Sequence, residues 1–442
     1  MKQVYESVMG LEVHVELNTK SKMFCRCSAD YFGKEPNTHT CPICLGLPGS
    51  LPYTNKAAIE DCIKIGLSLN CTVADKSLFE RKNYFYPDLP KGYQISQYRW
   101  PLCINGWLEV EDQGGSKSVI RINRAHQEED TGKLTHAGAE TLIDYNRSDV
   151  PLVEIVTEPD FKDTTQVKDY AKKLQQLFRY LGVSNADMER GDMRLEANIS
   201  VRPVGQKELP NYRVELKNIN SFRFMTAAIE YEIKRQIEAL EKGEILVQET
   251  RGWNEAKKET YVQRVKEEAH DYRYFPDPDL PVMELSSIEV ENIKNDLPEL
   301  PWEKVERFID ELEVAENNAK ILAEDKTWAD LFEQAVRVGQ EKKLKPQEIA
   351  NYIVNQKIKL ASPDDVLRVV EEIASKKVGI IDGMVELEKL AKEAIEENPK
   401  SVEDYQKGKL NAIQALLGAV MRKSQGKANV EKVKEILENL LK

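Results

Sequence analysis

Residues 126–136, HQEEDTGKLTH, set Glu128, Glu129 and Asp130 in a row between His126 and His136, two of only five histidines in the chain. Packed like charges raise the free energy unless a cation, basic side chains or water neutralise them. An isolated acid triplet is most often a solvated loop, so its chemistry depends on what other segments bring to it. Several bring acids. In GLEVHVEL, Glu12, His14 and Glu16 alternate with Leu11, Val13 and Val15. In MRLEANISVR, Arg194, Glu196, Asn198 and Ser200 oppose Met193, Leu195, Ala197 and Ile199, and YRVELKN sets Arg213, Glu215 and Lys217 against Val214 and Leu216. Glu154 sits among apolar neighbours in PLVEIVTE, as in a strand buried on both sides. The period of two reads as half-buried strands. A solvated strand face usually carries Thr, Lys, Ser and Gln. Acids with one imidazole instead suit a hard divalent ion such as magnesium, the alternative being a salt-bridged polar face. Side chains two apart on a strand start about 6.8 Å apart. Two neighbours can converge on an ion, but a third ligand must come from another strand or loop, and Glu128 or Glu129 is the natural donor.

The cysteines carry a second signal. Cys25 and Cys27 in CRC and Cys41 and Cys44 in CPIC are separated by thirteen residues. Four thiolates in two tight pairs match tetrahedral zinc in a closed structural site, the alternative being four reduced thiols. Cys62, Cys71 and Cys103 read as buried thiols. The chain has neither GxxxxGK[ST] nor GxGxxG, which disfavours a P-loop or Rossmann site. ATP would have to be held by magnesium carboxylates with arginines and lysines. RKNYFYPDLPKGYQISQY mixes Tyr84, Phe85, Tyr86, Tyr93 and Tyr98 with Arg81, Lys82 and Lys91. It suits either nucleic-acid stacking or a proline-braced loop lining a pocket or passage.

These groups must be positioned by a chain of 442 residues, long enough for two or three domains. With 41% hydrophobic and 31% charged residues the composition is globular, and a net charge of −12 argues against a protein that coats nucleic acid while allowing a local basic surface. Seven cysteines, an odd number, do not suggest a disulfide framework. No apolar run reaches the ~18 residues of a membrane span, and no apolar h-region follows the first lysine, so a cytoplasmic protein is expected. Up to about residue 285, strand patterns predict an α+β fold with a largely antiparallel sheet and helices on its apolar face. TTQVKDYAKKLQQLFRYLG predicts a helix stopping at Gly182, and a second helix runs from a Ser221 N-cap to Gly243. Beyond, short amphipathic helices predict a helical domain over 291–375 and a helical tail over 376–442, after a first domain at 1–290. Pro346 suits the first position of one helix and Asn429 caps the last.

MGLEVHVEL, RKNYFYPDLPKGYQISQ, HQEEDTGKLTH, DYNRSDVPLVEIVTEPD, LEANISVRP, ELKNINSFRF and HDYRYFPDPDLP follow in that order and cover nearly all of residues 1–285. Together they closely resemble the B subunit of the tRNA-dependent amidotransferase, and SVEDYQKGK with GAVMRKSQGKAN resembles that family's tail. The resemblance implies a catalytic cradle domain over 1–290 and an enzyme of two stages. ATP phosphorylates the side-chain carboxylate of Glu-tRNA(Gln) or Asp-tRNA(Asn), and ammonia displaces the phosphate. An amidase (A) subunit supplies ammonia from glutamine, and a small C subunit completes a heterotrimer. Carried onto this chain, the resemblance makes Glu12, His14, Glu128 and Glu129 ligands of Mg2+. It makes Glu154, Glu189 and Asp192 second-ion or substrate-side acids, and Lys217, Arg194 and Arg273 phosphate or carboxylate contacts. His126 and His136 would orient the acid loop. The four-cysteine zinc site occurs in only some relatives, which makes it structural. Leu195 and Glu196 stand where relatives often carry Cys-Asp, and the chain is shorter than many between EEIASKK and SVEDYQKGK. From Tyr405 onward, eight basic residues face three acidic ones, which suits contact with tRNA phosphates. The rival classes are a non-catalytic tRNA-binding subunit, which would not need acids and histidine on strand faces, and a metallohydrolase, which the closed cysteine set disfavours.

Overall fold

The computed structural model describes residues 3–265, 272–377, 383–424 and 427–441. Its packing divides the chain into Met1–Glu303 and Lys304–Lys442. In the first unit nine strands form one sheet: β1 (Tyr5–Glu16), β2 (Thr72–Val73), β3 (Cys103–Glu111), β4 (Lys117–Glu129), β5 (Pro151–Thr157), β6 (Met193–Pro203), β7 (Val214–Ile219), β8 (Glu249–Asn254) and β9 (Glu259–Val265). Their spatial order is β9-β8-β7-β6-β1-β5-β4-β3-β2. Every pairing is antiparallel except β7 with β8. The α+β reading with a largely antiparallel sheet therefore holds.

The two faces of β1 explain the architecture. Met9, Leu11, Val13 and Val15 are buried against α1 (Lys56–Ser68), α2 (Thr164–Tyr180) and α3 (Phe222–Glu241), while Glu12, His14 and Glu16 share the other face. On α2, Val167, Tyr170, Ala171, Leu174, Leu177 and Phe178 form the buried stripe. Asp163 caps its start, and the chain turns away at Gly182, whose φ of +68° suits a residue without Cβ. The predicted Ser221 cap accepts from the Phe224 amide.

A small sheet of Glu80–Asn83, Tyr93–Ser96 and Phe275–Pro276 is anchored at the end of β4. Gln94 Nε2 donates to the Glu129 carbonyl at 2.7 Å, and Ser96 Oγ to Glu128 at 3.0 Å. The second unit is helical and holds two hydrophobic cores, one around Phe308, Phe332 and Ile353, the other around Leu387, Leu416 and Leu437. Pro346 opens the helix Pro346–Asn355, and Asn429 caps Val430–Leu440, both as expected. No helix among the described residues is long and apolar enough to cross a membrane.

Candidate active site

Strand register brings two groups of metal-ligand type onto the polar face of the sheet. His14 on β1 lies opposite Glu154 on β5, which lies opposite His126 on β4; Glu128 is two residues further along β4. On the other side of β1, Glu12 lies opposite Glu196 on β6, and Glu215 on β7 is opposite Asn198. His14, Glu128 and Glu154 form the first trio and Glu12, Glu196 and Glu215 the second, each with one ligand atom per residue inside 4.8 Å. His14 Nε2 is 3.6 Å from both Glu128 Oε1 and Glu154 Oε2.

The electrostatics are those of a face short of positive charge. Burial would push the His14 imidazole down, but the Glu154 and Glu128 carboxylates raise it to about 9. The Glu12 carboxyl is raised by burial and by the neighbouring Glu154 and Glu196. Lys217 lies 2.7 Å from Glu196 and 3.3 Å from Glu215, and Asn198 donates to Glu12 at 2.9 Å. Burial opposes the charge of Lys217, yet Glu196 and Glu215 keep its ammonium protonated. A divalent cation would supply the missing charge, and the oxygen-rich donor set fits a hard ion. Beside the second trio opens a cavity of about 460 Å³, lined among others by Glu12, Arg124, Asn198, Tyr212 and Arg213.

Other residues that the sequence points to fall elsewhere. Glu129 directly follows Glu128 on a strand and so turns to the opposite face. It pairs there with Lys91 and accepts from the Ile95 amide at 2.6 Å. The structure therefore does not bring Glu129 to either trio. Arg194 faces His14 in register but bonds Asp130, which Arg194 and Arg147 hold well below the usual carboxylate range against the effect of burial. Glu189 is exposed ahead of β6. Asp192 is buried there, with its carbonyl accepting from the Glu16 amide at 2.8 Å and its carboxylate 3.6 Å from Arg190. Arg273 is exposed, and its carbonyl accepts from Asn83 at 2.9 Å. Neither trio includes Glu189, Asp192 or Arg273. His136 lies on an exposed hairpin and pairs with Thr141 at 2.9 Å.

Three participants have no role assigned by the family resemblance, although the strand pattern already sets two of them, Glu196 and Glu215, among the acids of this face. Glu196 and Glu215 complete the second trio. Lys82, half-buried beneath the rings of Tyr272 and Tyr84, feels the carboxylates of Glu128 and Glu154, which keep it charged against burial. Alternation along YRVELKN and RLEANIS places the two glutamates on the right face; nothing local tells which way Lys82 folds.

The four cysteines converge as their spacing suggests, with all four sulfurs inside 4.8 Å. Cys41 and Cys44 Sγ are 3.9 Å apart. The edge of a tetrahedron with zinc–sulfur bonds of 2.3 Å is about 3.8 Å. A hydrogen bond from Cys25, the buried Lys22 ammonium and the Cys41 amide hold the Cys44 thiol down to about 5, despite burial. These residues fit zinc. The loop between the two cysteine pairs reaches back to the sheet, where Tyr31 donates to the Glu16 carboxylate, 2.9 and 3.1 Å from its two oxygens.

The chain is also similar to known proteins. Residues 7–291 match the model of the GatB/GatE catalytic domain, and residues 341–441 that of the GatB domain. The chain belongs to the GatB family. It is 45% identical to the B subunit of the aspartyl/glutamyl-tRNA(Asn/Gln) amidotransferase of Caldanaerobacter subterraneus over 99% of both chains. Identity to the same protein of Caldicellulosiruptor saccharolyticus is 46% over 99% of both chains. With that of Persephonella marina it is 44% over 99% of this chain and all of the other. Both trios and all four cysteines fall inside the GatB/GatE catalytic match, and the basic end of the chain falls inside the GatB match.

Proposed function

We infer that this chain is the B subunit of a tRNA-dependent amidotransferase, a carbon–nitrogen ligase that converts misacylated Glu-tRNA(Gln) or Asp-tRNA(Asn) to the correctly amidated form. The observation that carries this is the His14, Glu128 and Glu154 trio within a GatB catalytic match over most of the first unit. A carboxylate is a poor electrophile at neutral pH. Phosphorylation by ATP converts it to an acyl phosphate, and ammonia then attacks the acyl carbon as phosphate leaves. Little covalent work falls to the protein, so positioning and charge stabilisation dominate. Magnesium, when bound, offsets charge on the transferring phosphoryl group; His14, Glu128 and Glu154 would hold one ion and Glu12, Glu196 and Glu215 a second. Lys217 and Lys82 add fixed positive charge beside the two trios. Arg194, tied to Asp130, steadies the strand that carries Glu196. The cavity beside Glu12 offers room for ATP next to the second trio. Zinc at Cys25, Cys27, Cys41 and Cys44 is structural.

An amidase subunit supplies the ammonia and a small third subunit joins the two, in the cytoplasm. The C-terminal tail contacts tRNA phosphates. Lys407, Lys409, Lys423 and Lys434 pair with acids of the same tail region, so among the described residues the contact draws chiefly on Arg422 and Lys427. Removing residues 405–442 should weaken tRNA binding and flatten its salt dependence, leaving glutamine hydrolysis by the partner intact. The central test is to assemble the three subunits and assay ATP-dependent amidation of each misacylated tRNA. Failure to amidate either one, with glutamine hydrolysis intact, would overturn the reading.

A further inference from the structure

We propose that His126 is a positioning residue for the first metal site: by donating from Nε2 it holds the Glu154 carboxylate in its ligating orientation. This rests on the reading of His14, Glu128 and Glu154 as metal ligands.

Three side chains stand in a row across three neighbouring strands, because His14, Glu154 and His126 are directly opposite one another in register. One carboxylate oxygen is thus flanked by two imidazoles. Glu154 Oε2 lies 3.3 Å from His126 Nε2 and 3.6 Å from His14 Nε2. The two imidazoles cannot serve the same purpose. A histidine that ligates a metal through Nε2 presents a lone pair there and has no proton on that nitrogen to donate. Once His14 faces an ion, its hold on Glu154 is gone, and His126 is left to orient the carboxylate.

The surroundings of His126 assign its tautomer. The ring is 2% exposed, and its Nδ1 is buried without a hydrogen-bond partner. A proton on Nδ1 would leave a buried donor unsatisfied and set the Nε2 lone pair against the carboxylate oxygen. A proton on Nε2 instead gives Glu154 its donor and leaves an unpaired acceptor at Nδ1, the lesser penalty. His126 itself stays outside the ligand trio. Groups that orient a metal ligand in this way typically change metal affinity 10–100-fold when removed.

The test is Mn2+ binding to the full-length, zinc-replete chain, followed by electron paramagnetic resonance, with thermal unfolding as a control. His126→Ala should weaken one manganese site about tenfold or more. His126→Gln places an amide N–H near the position of imidazole Nε2 and should bind within about threefold of the parent. His126→Asn reaches only the Nδ1 position and should behave like His126→Ala. In the assembled enzyme, His126→Ala should raise the magnesium concentration needed for half-maximal rate, with the rate recovering at saturating magnesium. Unchanged manganese binding in His126→Ala overturns the proposal, and so does equal weakening of the Gln and Asn variants at unchanged unfolding temperature. Glu154→Ala separates the two layers. If it loses an ion that His126→Ala keeps, only the positioning role fails; if it keeps both ions, the ligand assignment fails with it.

Discussion

The four-cysteine lobe and the acid face of the sheet both gather metal-ligand side chains, but by opposite means. The four sulfurs come from one stretch, Cys25 to Cys44, and all lie within 4.8 Å of one another, as in a closed four-thiolate zinc site. The acid face draws on five strands, from Glu12 to Glu215, and no two ligands within a trio are neighbours along the chain. Thiols can gather while protonated. Carboxylates in apposition repel, and this face needs Lys217, Lys82 and an imidazole raised to about 9 to exist at all. A local, closed cluster suits a metal that stays; a dispersed, open one suits a metal that meets a substrate and keeps waters.

The contrast can be broken or sharpened by experiment, and the largest effect is expected on the acid face. His14→Ala and Glu128→Ala should each reduce ATP-dependent amidation by roughly 10³-fold, the scale of several kcal/mol of lost charge stabilisation. Both variants should remain folded and unfold cooperatively. Near-parental rates at saturating magnesium would end the metal assignment.

In the cysteine lobe the effect should fall on stability instead. Elemental analysis should find about one zinc per chain, and Cys44→Ser should lose it together with about 4 kcal/mol of stability. Protein prepared with ample zinc yet containing none, its four thiols all titrating freely, would show the lobe to be plain packing.

Glu129 marks the boundary between the two behaviours. Replacing it by alanine strands the buried Lys91 ammonium and should destabilise the chain by about 3 kcal/mol. Manganese binding should persist in the folded fraction. A lost manganese site there would place Glu129 among the ligands after all.

The smallest effect is a pH dependence. The His14 imidazole in the metal-free chain sits near 9, above its ordinary value of 6.5. Its stabilising contribution is therefore fully present below pH 6.5 and is lost as pH rises through 9. Denaturant titrations of dialysed protein at pH 6.5, 7.5 and 9 should show the parent losing this increment relative to His14→Ala. A constant difference between the two would mean that His14 does not titrate there. Metal binding should tighten over the same interval, since the ion displaces a proton.

Much of this is readable from residue order. Alternation in GLEVHVEL and MRLEANISVR is a property of single strands, so the apolar and acidic faces of the sheet can be assigned without knowing its partners. Caps at Ser221 and Asn429 and the proline at 346 are equally local. The cysteine set is legible because its spacing alone limits where four sulfurs can go. Glu129 departs from expectation because an acid triplet reads as a loop, whereas β4 runs through Glu129 and sends consecutive residues to opposite faces. The pairing of acids into trios depends on register across β7, β6, β1, β5 and β4, which no single segment encodes. Whether Lys82 lies over solvent or turns toward Glu128 is likewise decided by the tyrosines that fold over it.

One contact changes how a routine bench result should be read. Tyr31, between the two cysteine pairs, donates to Glu16, two residues beyond His14. If the four-cysteine lobe holds zinc, a chelator added to show dependence on magnesium would also withdraw it, slacken that loop and release Glu16 at the edge of the acid stripe. Activity lost to EDTA would then have two origins with different reversibility. Magnesium alone would restore only molecules that kept their zinc, and the remainder would recover only after zinc is returned and the lobe refolds.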